Sequence, residues 1–189
     1  PPAARPAASL LPPTERRRAP DSVALALEVA LRATEAAHGD PKTMPSVFAS
    51  THGDLAISDY MCETLVATPT LISPTRFHNS VHNAAAGYWT IGTGSHAHYT
   101  ALTAHRHTFG AGWLEAAAQV ACDDARVLLV AFDVEARGPM ATVTPSRGLF
   151  GVALVLAAQR SADTQCEVRW SVHGSAGEPT PARHAALVE

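Results

Sequence analysis

Residues 73–132 read SPTRFHNSVHNAAAGYWTIGTGSHAHYTALTAHRHTFGAGWLEAAAQVACDDARVLLVAF, and the order of patterns within them decides the fold. The small-residue run 84–91 predicts a helix that Gly92 or Gly94 ends. Residues 98–104 predict a strand, and 108–121 an Ala/Gly-rich helix. Residues 126–132, RVLLVAF, form the strongest strand pattern in the chain. A strand, a helix and a second strand in this order predict a parallel crossover unit. The two prolines of residues 69–83 predict a loop before it.

The same alternation extends outward. Asp21 or Ser22 can cap a helix running to about His38, where Gly39 stops it. Its polar stripe is only Glu28, Arg32 and Glu35, so most of its surface is expected to be buried. Residues 45–50 predict a short buried strand, and Asp54 caps a helix to about Ala67. Residues 148–158 and 165–172 predict two strands, joined through residues 160–163 as an antiparallel hairpin. The first 20 residues hold six prolines and four arginines and predict an extended surface arm, with Arg16–Arg18 as a solvated turn. The expectation is an α/β fold: a three-layer α/β/α sandwich whose mixed, mostly parallel sheet has an antiparallel edge. Its divisions would be a Pro/Arg-rich arm at 1–20, one domain at 21–175 and a flexible tail at 176–189.

Composition narrows the function classes. At 189 residues the chain can bury a core without metal or disulfide staples. It is 47% hydrophobic and 16% charged, which excludes a disordered chain. A net charge of −3 offers no electrostatic basis for nucleic-acid binding. No apolar run approaches the length that inserts into a membrane, and no signal peptide opens the chain. The three cysteines, Cys62, Cys122 and Cys166, form neither a disulfide framework nor a paired metal motif, which fits a reducing cytoplasm.

Ten histidines stand out. His96/His98 and His105/His107 are two H-x-H pairs, and four imidazoles on neighbouring strand ends would suit Zn²⁺ in a hydrolase or lyase. No acid or thiol sits with them, so surface or interface histidines are the plainer interpretation, with no metal and no cofactor. Ser80 lacks the flanking glycines of a nucleophile elbow and is expected to cap the helix that follows. Trp89, Trp113 and Phe109 suit either a ligand tunnel or the core. Asp123-Asp124 reads as a solvated turn.

The quoted stretch resembles the N-terminal half of a β-ketoacyl synthase of the thiolase superfamily. The resemblance rests on Ser73-Pro74, Asn83-Ala-Ala-Ala-Gly87, the strand near 99–104, Gly110-Ala-Gly112, Asp123-Asp-Ala-Arg126 and the strand 127–131. Ser146-Arg-Gly-Leu-Phe150 and the strand after it extend it to about residue 160. The segments LLPPTERRRAPDS, FASTHGDL, SPTRFHNSVHNAAAG and FGAGWLEAA are similar to β-ketoacyl synthase-like N-terminal domain proteins, relatives of chain-length factors of aryl polyene and xanthomonadin-type pathways. The resemblance implies half of a thiolase-like fold, whose first strand would precede the Pro/Arg arm.

The resemblance also implies a site. The family's acyl-accepting cysteine stands in a sharp turn between strand and helix. Ungapped spacing puts Arg106 there, or His105 or His107 after a one-residue slip, and none is a thiol. The family's catalytic histidines belong to a C-terminal half outside these residues; His173-Gly174-Ser175 resembles one such motif in the wrong element. The implied role is a non-catalytic, chain-length-factor-like subunit paired with an active synthase, meeting acyl carrier protein only indirectly. Phe77, His78, Val81, His82, Asn83 and Phe109 would face the tunnel or the partner, although His78, His82 and Asn83 also suit a hydrogen-bonded loop. His98, Tyr99, Thr100, Ala101, Leu102, Thr103 and Ala104 would form the strand at a two-fold interface, homodimeric in isolation. A free-standing acyl-binding module is the third alternative.

Overall fold

A computed structural model describes residues 4–142, 144, 146–171 and 174. Its helices are α1 (Pro13–Arg18), α2 (Asp21–Ala36), α3 (Leu55–Ala67), α4 (Pro74–Asn79), α5 (Ala84–Thr93) and α6 (Thr108–Asp123). Its strands are β1 (Ser46–Ala49), β2 (Tyr99–Leu102), β3 (Val127–Val134) and β4 (Leu149–Leu156). They form one sheet in the order β2-β1-β3-β4. β1 runs parallel to both β2 and β3, and β4 returns antiparallel along β3. The α/β architecture with a mixed sheet and an antiparallel edge is therefore as expected.

Alternation along β3 builds both faces of the sheet. Leu128, Val130, Phe132 and Val134 join the core beneath α2 and α5, whereas Val127 and Leu129 join Ala116 and Val120 of α6 on the other face. Register keeps the faces consistent, because Phe48 lies opposite Val130 and Val47 opposite Leu129. α2 earns its place by burying Val23, Ala24, Leu25, Ala26, Leu27 and Ala30. Full burial of one such leucine contributes about 1.5–3 kcal/mol. Two close approaches tighten the layers. A Cβ at Gly112 would lie 2.9 Å from the Ala49 Cβ, and one at Gly151 would lie 3.0 Å from Leu25 Cγ.

Three expectations are corrected. The N-terminal segment is no extended surface arm: residues 13–18 are helical, and Ala8 and Leu11 are 1% exposed within the main core. The Arg16 guanidinium is no free solvated turn, since its Nη2 donates to the carbonyls of Ser9 and Leu11. Residues 69–83 are not all loop. A 3₁₀ turn spans Pro69–Leu71, and α4 follows with Pro74 in its first turn and the Ser73 hydroxyl accepting from Arg76 N. Proline preorganises a first turn where its missing N–H costs nothing. Finally, residues 165–171 form no strand, and β4 pairs with β3 instead. Val168 and Trp170 remain half exposed. Alternation specifies a strand's faces but not its neighbour. Val172, His173, Ser175 and the expected tail at 176–189 lie outside the described residues.

α1, α4 and α5 enclose a buried polar spot. Asn79 Nδ2 donates to the Arg18 carbonyl at 2.9 Å, while among the described residues Asn79 Oδ1 and the Tyr88 hydroxyl meet no partner in hydrogen-bond geometry. Burial, and then Glu15, push the Tyr88 hydroxyl above the usual tyrosine range, against smaller opposing effects of Asn79 and Arg18.

Candidate functional site: a cleft at the strand ends

β2 and β3 lie on opposite sides of β1, so the chain changes direction across the sheet between β1 and β3. A crevice opens beyond the C-terminal ends of strands at such a point. Here it is a cleft of about 690 Å³, lined among others by Thr51, His52, His105, Arg106, Phe109, Asp133, Thr144 and Phe150.

The floor of the cleft is a polar clamp between β1 and β3. Asp133 Oδ1 accepts from Ser50 Oγ at 3.0 Å and from Thr51 N at 2.9 Å, while Oδ2 accepts from Thr51 Oγ1 at 2.8 Å. Ser50 Oγ also accepts from Gly53 N, and Asp54 caps α3 by accepting from Ile57 N. His82 Nε2 lies 2.8 Å from the Ser50 carbonyl. A carbonyl only accepts, so this nitrogen carries the proton. His52 Nε2 and Thr144 Oγ1, 2.9 Å apart, tie the loop after β1 to the loop after β3.

The wall is the turn from β2 into α6. Its left-handed residue is His105, at φ 53°, followed by a 3₁₀ turn over His105–His107. The Thr108 hydroxyl donates to the His105 carbonyl and accepts from Ala104 N, which locks the turn. A non-glycine residue at positive φ is uncommon and is held by its surroundings. Both His105 and Arg106 line the cleft, and Phe109 follows one turn into the helix.

The other sequence candidates scatter. Phe77 and Val81 are 61% and 50% exposed, and neither lines the cleft. His78 packs edge-on to Tyr88 at 6.0 Å, and Asn83 Nδ2 donates to the Tyr99 hydroxyl. With the His82 bond to the Ser50 carbonyl, these contacts hold the loop in place. Ser80 caps no following helix; its hydroxyl donates back to the Phe77 carbonyl at the end of α4. Trp89 is a core residue, 1% exposed, and Trp113 packs on the α6 face of the sheet. Asp124 is an exposed left-handed turn residue after α6. The two H-x-H pairs do not converge. His96 and His98 precede β2, and His105 and His107 follow it. A strand advances about 3.3 Å per residue, which holds the pairs roughly 13 Å or more apart. His98 faces Gln119 instead, and among the described residues no three His, Cys, Asp or Glu side chains gather to hold a metal.

Sequence reading missed Ser50, Thr51, His52, Asp133, Thr144 and Phe150. The usable signal was positional, since Ser50-Thr-His52 follows one predicted parallel strand and Asp133 ends another.

No helix among the described residues is long and apolar enough to cross a membrane. No curated protein sequence matches the chain. Among solved structures it is similar to a chain from the ketosynthase (ApeO) in complex with its chain length factor (ApeC) of Xenorhabdus doucetiae. The identity is 29%, the TM-score 0.66, and the match covers 78% of this chain. A β-ketoacyl synthase from Burkholderia phymatum STM815 shares the fold, with a TM-score of 0.59 and 12% identity over 75% of this chain. The chain spans 61% and 36% of the lengths of these two relatives. The sequence profile described as β-ketoacyl synthase, N-terminal domain, matches residues 1–187. With its crevice at the strand ends and a profile match over almost every residue, the chain belongs to the β-ketoacyl synthase N-terminal domain family and carries its thiolase-like fold.

Proposed function

We propose that the chain is a non-catalytic, chain-length-factor-like subunit. It pairs with an active β-ketoacyl synthase and shapes its acyl tunnel in an aryl polyene- or fatty-acid-type pathway of the cytoplasm. One observation carries this reading: the turn that walls the cleft holds His105, Arg106 and His107, and no thiol. Acyl transfer by the family's route needs a thiolate, whose pKa a helix N-terminus lowers. Cys122 lies 14 residues beyond the start of α6. At 1.5 Å per residue that is about 21 Å from the turn. Cys62 sits in α3 and Cys166 after β4, both exposed. The similarity at 29% identity to a structure of a ketosynthase with its chain length factor supports the partner class.

The sheet edge supports association. β2 is a terminal strand with no neighbour on its outer side among the described residues. An open strand edge favours pairing with another chain. The test is co-expression with candidate synthases, followed by size-exclusion chromatography and incubation with malonyl- and acyl-carrier proteins. Co-elution as a heterodimer is expected, with no condensation and no acyl adduct on the isolated chain. A stable thioester on any of the three cysteines would overturn the non-catalytic reading.

A further inference from the structure

The cleft holds a positive charge that no described residue answers. Among the described residues, Arg106 makes no hydrogen bond and no ion pair. Asp133 is the only carboxylate among the lining residues, and Ser50 and Thr51 occupy it with three hydrogen bonds. The lining also has an apolar share, Ala49, Phe109, Ala131, Phe132, Phe150 and Val152, among polar groups such as Thr51, His52 and Ser146. Phe109 is 49% exposed and Phe150 53% exposed, with Val152 beside them in the lining. At about 690 Å³ the space lies within the range of small-ligand pockets.

A guanidinium beside aromatic walls is matched by an amphiphile with an anionic end. Arginine's planar fork suits a carboxylate, which can take two parallel hydrogen bonds. Two half-exposed phenyl rings gain by covering a hydrocarbon chain. We propose that this cleft takes an acyl chain ending in a free carboxylate, paired by Arg106 and covered by Phe109, Phe150 and Val152. The proposal deepens, and rests on, the reading of the cleft as part of an acyl tunnel. It adds that the turn residue in the nucleophile's region selects an anionic terminus.

The experiment titrates dodecanoate and methyl dodecanoate, each below its aggregation concentration, into the full chain by calorimetry. Wild type is expected to bind the acid about tenfold tighter than the ester, the scale of one charge-assisted contact in a solvent-open site. Arg106→Ala should erase that preference, bringing the acid down to the affinity of the ester, whereas Arg106→Lys should keep part of it. Phe150→Ser should weaken acid and ester alike. Thermal unfolding controls for folding, and Arg106→Ala is expected to melt like wild type because its exposed side chain makes no bond to any described residue. Equal affinity for acid and ester in wild type, or unchanged acid binding in Arg106→Ala, would overturn the proposal. Acid-selective binding by a chain that co-elutes with no synthase would uphold the ligand and remove the subunit reading. A stable heterodimer without acid selectivity would do the reverse.

Discussion

Replacing Asp133 with alanine removes a carboxylate that joins the end of β1 to the end of β3 at the floor of the cleft. Three donors lose their acceptor: Ser50 Oγ, Thr51 N and Thr51 Oγ1. The two hydroxyls can rotate towards water in the open cleft, so each loss costs about 0.5–1 kcal/mol. The Thr51 amide cannot rotate, and an N–H left unpaired costs about 1–3 kcal/mol. The sum is about 2–5 kcal/mol, or roughly 4–20 °C in melting temperature for a chain of this size. Asp133→Asn keeps one carbonyl oxygen for the amide, and the rotatable hydroxyls can accept from its nitrogen, so its cost is about 1 kcal/mol. Urea denaturation followed by circular dichroism measures both variants. A double-mutant cycle with Ser50→Ala should show coupling of about 1 kcal/mol, because that hydroxyl and that carboxylate share a bond. An Asp133→Ala variant within 0.5 kcal/mol of wild type, a bound set from the ordinary cost of a surface substitution, would refute the clamp.

Four further outcomes are expected. Tyr88 has a raised pKa in the folded state, so the native chain holds its proton at pH values where the unfolded chain has released it. Stability should therefore fall as pH rises through and above about 10, and Tyr88→Phe should flatten that fall in denaturation curves at alkaline pH. Along β2 the carbonyls of His98, just before it, and Leu102 accept from Ser46 N and Ser50 N, so Ala101 directs its N–H to the open edge. Ala101→Pro should abolish association in size-exclusion chromatography while circular dichroism stays native, because proline is tolerated at an outer edge. Phe109→Ala should lengthen the product of a reconstituted synthase, read by mass spectrometry, if that ring ends the tunnel. Phe77→Ala should do so only if the partner brings its exposed ring to the same tunnel.

Local chemistry made much of the fold legible in the sequence. Asp54 caps α3 through Ile57 N, Gly94 ends α5 in the left-handed region, and RVLLVAF is the central β3, because each depends on neighbours within a few residues. The turn 105–107 was singled out only through the family resemblance, and the structure places it at the wall of the cleft. Which residue of the turn takes the left-handed conformation was not legible there: it is His105. Tertiary structure alone decided three other matters. Leu11 sits in a segment whose prolines look like an arm, yet packing beside α2 makes it core. Residues 165–171 alternate like a strand, yet β4 had already paired with β3, and alternation names no partner. The clamp joins Thr51 to Asp133 across 82 residues of chain. Hydrogen bonds at that separation leave no mark on either local pattern, because the two ends meet only when the parallel pairing of β1 and β3 brings them together.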